Sequence, residues 1–111
     1  MPQYIFVYLG GETPAKPEDA QKHYADYEKW LSSLGSAVVS PAIPLKDTHT
    51  VQPDGKTLPG SMTAMSGMSI IRMPSMEEAL EAAKRCPFLE IGGILEISEM
   101  IEMSSTSEKP H

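Results

Sequence analysis

From Gln3 to Leu9 the chain runs through Tyr, Ile, Phe and Val without interruption, and Gly10-Gly11 closes the run. Aromatic and β-branched residues in such a row are strand composition, and paired glycines are a turn signal. The chain is therefore expected to open with a central strand, around which the remaining elements must be arranged. Pro14 and Pro17 then lead into Glu18 and Asp19, and a proline near the first helical position followed by acids suits the positive end of a helix dipole. Ala20, Tyr24, Tyr27, Leu31 and Leu34 recur at four- and three-residue steps as one apolar stripe, and Gly35 supplies a left-handed stop. This predicts a helix from Pro17 to about Leu34 that packs on a sheet.

The segment from Ser36 to Ile43 holds Ala37, Val38, Val39 and Ile43 but is interrupted by Pro41, which removes a ladder donor and marks an edge or bulged strand. Pro44 to Gly60 is a polar excursion, with Pro53-Asp54-Gly55 as its expected reversal and a hairpin crossing placed there. Met68, Ile70 and Ile71 predict a third strand ending before Pro74, and Ser75 with Glu78 has the spacing of a capping box. Met76, Ala79, Leu80 and Ala83 form the apolar face of the second helix, which Pro87 ends just after Lys84 and Arg85. Gly92-Gly93 then introduces a fourth strand carrying Ile94, Leu95, Ile97 and Ile101. Residues 1–103 read as a single domain, with a polar, frayed tail over 104–111.

The resulting order, βαββαβ, predicts an α+β fold of the ferredoxin-like kind: an antiparallel sheet with both helices on one face. A sheet left open on its other face gains stability by packing on a second copy, so a homodimer is expected. Met62, Met65, Met68, Met73, Met76, Met100 and Met103 add adaptable apolar surface near the later elements.

Charge and cysteine usage exclude several classes of function. Nine basic residues against 15 acidic ones give a net charge of −6, which opposes binding to nucleic acid or anionic lipid through bulk charge. The single cysteine cannot close an intrachain disulfide, and a cytoplasmic setting is expected. The early apolar run has no basic leader region and is far shorter than the roughly 20 residues of a membrane span. Neither a signal peptide nor a membrane segment is expected. His23, His49 and His111 share no metal-ligand spacing, and Gly10-Gly11 lacks the spaced glycines of a nucleotide loop. No metal and no cofactor are predicted.

Three stretches carry a resemblance: YIFVYLGG from Tyr4 to Gly11, SMEEALEAAKRCP from Ser75 to Pro87, and GGILEISEM from Gly92 to Met100. Together they resemble the YCII-related family, including its DGPF-type branch, over about Tyr4 to Met103. The helix block running into a Cys-Pro step is the most specific of the three. The resemblance implies a dimeric α+β barrel. It also implies a histidine in the first helix, matched here by His23, facing one cleft with an aspartate before the proline that follows the second helix. Cys86 occupies that aspartate position, and the DGPF motif is absent, with Pro59-Gly60-Ser61-Met62 and Met65-Ser66-Gly67 before the third strand. A neutral thiol orients and charges an imidazole less well than a carboxylate does.

His23 is the candidate proton carrier, because imidazole titrates near neutral pH. Asp19 and Asp26, four before and three after it, provide a purely local alternative as charge partners. Cys86 is a candidate nucleophile if His23 approaches it, and otherwise small buried filler at the electronegative end of a helix. Tyr8 and Tyr27 are candidate ligand contacts, with packing as the alternative role; for Tyr24, Tyr27 and Trp30 together, core or interface packing is the expectation.

The leading expectation is a homodimer that binds a small organic ligand between the first helix and the sheet near His23. An alternative is a lyase or isomerase acting on a cyclic metabolite, with His23 moving a proton and Cys86 or Tyr8 assisting, since the resembled family contains a dehydrochlorinase. A further alternative is an interaction or regulatory module that uses the Pro44 to Gly60 loop or the sheet edge.

Overall fold

A computed structural model describes residues 1–12 and 15–101. In chain order it contains β1 (Gln3–Gly10), α1 (Pro17–Leu34), β2 (Val38–Pro44), β3 (His49–Val51), β4 (Thr57–Pro59), β5 (Met65–Arg72), α2 (Met76–Lys84) and β6 (Gly93–Glu99). The expected tail over 104–111, like Pro14, Met103 and His111, lies outside the described residues. No helix among the described residues is long and apolar enough to cross a membrane.

Four strands form one sheet in the order β2-β5-β1-β6, every neighbouring pair antiparallel. With α1 and α2 as the crossover connections, this is the ferredoxin-like α+β arrangement. The strand that opens the chain is central, hydrogen-bonded to β5 on one side and β6 on the other. Its alternation divides the two faces of the sheet: Tyr4, Phe6 and Tyr8 are buried beneath the helices, while Ile5, Val7 and Leu9 point to the opposite, open face. On that face Ile5 stands opposite Ile70, Val7 opposite Met68, and Leu9 opposite Ile94, the last 61% exposed.

Pro41 has the effect expected of it. The second strand lies at the sheet edge, and its register against β5 shifts twice, between Val38 and Ser40 and again between Ser40 and Ile43. The Pro53-Asp54-Gly55 reversal also occurs, but the excursion folds into a separate two-stranded arm, β3 paired with β4. Gly55, at φ +90°, donates its N–H to the Gln52 carbonyl at 2.8 Å, and Asp54 accepts from the Lys56 N–H at 2.9 Å. These local bonds make the turn self-sufficient, so the arm forms without belonging to the main sheet.

Both helices sit at a different rotation from the one their apolar stripes suggest. In α1 the buried residue is Trp30, with Tyr27, Leu31 and Leu34 half-buried, whereas Tyr24 is 65% exposed and Ala20 is exposed as well. The Trp30 indole tilts against Phe6 with ring centroids 6.2 Å apart and donates to the Ala82 carbonyl at 2.9 Å, tying α1 to α2. Satisfying the indole N–H while its rings are buried fixes the rotation of the helix. In α2 the alanines at 79, 82 and 83 face inward, while Met76 and Leu80 stay exposed, because small side chains allow closer approach to the sheet. Ser75 caps this helix as its spacing predicts, accepting the Glu78 N–H at 3.2 Å. The last strand ends at Glu99, and Ile101 lies beyond it, 84% exposed.

Candidate functional site

The N-terminal half of α1 stands away from the sheet and leaves a cleft of about 660 Å³ between itself, the β2 edge and the near end of β5. Leu31, Pro41, Ala42, Pro44 and Phe88 supply apolar walls, and the polar groups are Tyr8, Tyr24, Tyr27, Ser66, His23 and Glu28. A cavity of this size, mostly apolar with a few converging polar atoms, is what small organic ligands occupy.

Backbone geometry sets up the cleft. At Gly67 an added Cβ would lie 3.0 Å from the Ile43 carbonyl oxygen, so β2 approaches β5 there more closely than most side chains allow. Phe88 comes from the short 3-10 turn Pro87–Ile91 that follows Cys86. Its ring lies against Gly93 and Gly11, where added Cβ atoms would come within 2.2 Å and 2.8 Å of it. One glycine of each pair, Gly11 and Gly93, thus makes room for the ring that closes the cleft. Phe88 meets Tyr8 with ring centroids 5.1 Å apart.

Under this wall three hydroxyls are joined. Tyr8 Oη is hydrogen-bonded to Tyr27 Oη and lies 3.0 Å from Ser69 Oγ. Tyr27 in turn sits edge-on to Tyr8 and leans on Trp30, with centroids 6.0 Å and 5.5 Å away. Burial raises the pKa of both tyrosines above the ordinary phenol value, most strongly for Tyr27. Both are neutral hydrogen-bonding groups at physiological pH.

His23 is half-buried and lines the cleft together with Tyr8 and Tyr27. It also borders a neighbouring polar hollow that contains Asp19, Lys22, Asp26 and Glu90. Among the described residues Asp26 pairs with Lys22 at 2.7 Å, and no hydrogen bond engages the His23 imidazole. Lys22 lowers the Asp26 pKa, first through that hydrogen bond. Cys86 is placed differently. It is 2% exposed, belongs to the core cluster that contains Tyr8, and does not line the cleft. Burial pushes its thiol up to about 11, against the opposing effect of the Phe88 backbone N–H. No hydrogen bond joins Cys86 to His23. Among the described residues no group of three or more His, Cys, Asp or Glu side chains is arranged to hold a metal ion.

Sequence reasoning missed Ser69 and Phe88. Ser69 has a sequence signal in hindsight: it is polar at the period-two position shared with Gly67 and Ile71, the face of β5 turned to the helices. Phe88 has none, because its place depends on how Gly11, far away in sequence, meets Gly93 around the ring.

Comparison with known proteins agrees with this architecture. The family model for the YCII-related domain matches residues 4–104. A solved structure of 5-chloro-2-hydroxyhydroquinone dehydrochlorinase from Burkholderia phenoliruptrix AC1100, in complex with 2,5-dihydroxybenzoquinone, superposes with a TM-score of 0.57 at 14% identity. The match covers 95% of this chain and 99% of that one, and at this identity it speaks to the fold. No curated protein matches the sequence. The family match spans all four strands of the main sheet, the helices between them and the residues around the cleft, so the chain belongs to the YCII-related domain family.

Proposed function

We propose that this protein binds a small organic ligand in the cleft between α1 and the sheet, and does so as a homodimer in the cytoplasm. The observation that carries the reading is the convergence of Tyr8, Tyr27 and His23 on one largely apolar cleft of about 660 Å³. A second copy is the natural cover for the open sheet face, where Ile5, Val7, Leu9, Met68, Ile70 and Ile94 are apolar and Glu96 and Ser98 border them on β6. A buried, protonated thiol with no disulfide suits a reducing compartment.

A ligand-observed NMR screen with aromatic fragments tests the cleft. Binders are expected with wild type and should be lost with Ala42→Trp, which fills the cavity; undiminished binding to that variant would contradict the assignment. Sedimentation velocity tests the assembly, with a dimer expected for wild type and a monomer for Val7→Glu. A wild-type monomer would remove the homodimer from the account.

A second reading is a lyase or isomerase acting on a cyclic metabolite. It is supported by the presence of His23 and neutral tyrosine hydroxyls on one cleft and by the fold shared with a dehydrochlorinase. In it His23 carries the proton, Tyr8 assists through the hydroxyl chain, and Cys86 stands as a neutral thiol where the family resemblance expects a carboxylate. His23→Ala should then abolish turnover of a substrate while leaving the folded state intact, and unchanged turnover would rule the mechanism out.

A further inference from the structure

The three hydroxyls beneath the cleft form a hydrogen-bond chain whose direction follows from burial. Ser69 is fully buried, and among the described residues its Oγ meets one partner, the Tyr8 hydroxyl at 3.0 Å. A buried hydroxyl hydrogen left without an acceptor is costly, so Ser69 donates to Tyr8. Each hydroxyl carries a single hydrogen, and that of Tyr8 therefore goes to its other neighbour, Tyr27. The Tyr27 hydrogen is the one left over, on a half-buried residue that lines the cleft. Because burial keeps both phenols protonated, this donor persists across the physiological pH range. Successive donation polarises each following O–H bond and strengthens the last one.

We propose that the chain from Ser69 through Tyr8 to Tyr27 is the recognition element of the cleft, offering one polarised O–H to the acceptor oxygen of an uncharged, flat ligand such as an aryl ketone. This rests on the reading of the cleft as a ligand site. The walls fit such a ligand, since Leu31, Ala42 and Phe88 present apolar surface and no lysine or arginine lines the cleft to hold an anion. Glu28 opposes a carboxylate there.

Tyr27 is thus a specificity-determining contact, while Ser69 and Tyr8 act through it as positioning residues. The test compares 1-tetralone with tetralin, which share a ring system and differ in the carbonyl, by calorimetric or NMR titration. Tyr27→Phe should lower the ratio of ketone to hydrocarbon affinity about three- to tenfold, the scale of one neutral hydrogen bond. Ser69→Ala removes one buried oxygen, leaves Tyr27 in place and should lower the same ratio by a smaller factor of about two. Wild-type ratios in both variants, with tetralin still bound, would overturn the hydroxyl chain while leaving the cleft a ligand site. Failure of wild type to bind either probe would overturn the cleft reading and this inference with it.

Discussion

The two halves of α1 do different work. From Trp30 to Leu34 the helix is packed: the indole is buried against Phe6, hydrogen-bonded to the Ala82 carbonyl, and flanked by half-buried leucines. From Ala20 to Tyr27 the same helix stands over a cleft, with Tyr24 exposed and His23 and Tyr27 turned toward polar neighbours. A single helix can thus be anchored at one end by apolar and aromatic packing and used at the other as the wall of a site. Stability and recognition should accordingly separate when each half is changed.

The largest expected effect lies in the packed half. Trp30→Ala removes the aromatic anchor and leaves the Ala82 carbonyl without its donor, and should cost about 3–5 kcal/mol of unfolding free energy in a denaturant titration. A loss below about 1 kcal/mol would show that the anchor lies elsewhere. Next comes Gly93→Ala, whose Cβ would meet the Phe88 ring at 2.2 Å. Displacing that ring should cost about 1–3 kcal/mol and also disturb ligand binding in the cleft, whereas a neutral outcome would mean that the ring is free to move.

Alkaline titration sharpens the comparison through Cys86. Its folded pKa of about 11 lies above the ordinary 9.0, so the folded state holds this proton more tightly than the unfolded state does. The associated stability is complete below pH 9 and declines as the pH rises from 9 to about 11; Tyr8 and Tyr27, also raised, add to the decline above pH 10. In Cys86→Ala the decline should begin about one pH unit later, and an unchanged onset would contradict the burial of the thiol. The smallest effect belongs to the cleft half. His23→Ala, at a half-buried position without a hydrogen-bond partner among the described residues, should change stability by no more than about 0.5 kcal/mol while altering binding or turnover.

Most of the fold was legible because its signals are local. Glycine pairs bounded β1 and β6, Ser75 capped α2, Pro41 marked the bulged edge strand, and the Gln52–Gly55 turn closed where its residues predicted. What was not legible depends on how distant elements meet. The stripe in α1 included Tyr24, but the helix rotated to bury Trp30, whose partner at Ala82 is 52 residues away. The candidate site was legible in part: Tyr8, Tyr27 and His23 do line one cleft, whereas Cys86 joins the core. Ser69 escaped notice because its meaning lies in a bond to Tyr8 across the sheet.

The most direct test of the central claim is a crystal structure of the protein soaked with a mixture of neutral aromatic ketones and aromatic carboxylates. The account predicts electron density for a ketone between α1 and β2, with its carbonyl oxygen within about 3 Å of Tyr27 Oη. An empty cleft, or a ligand seated there with its oxygen turned away from Tyr27, would contradict it.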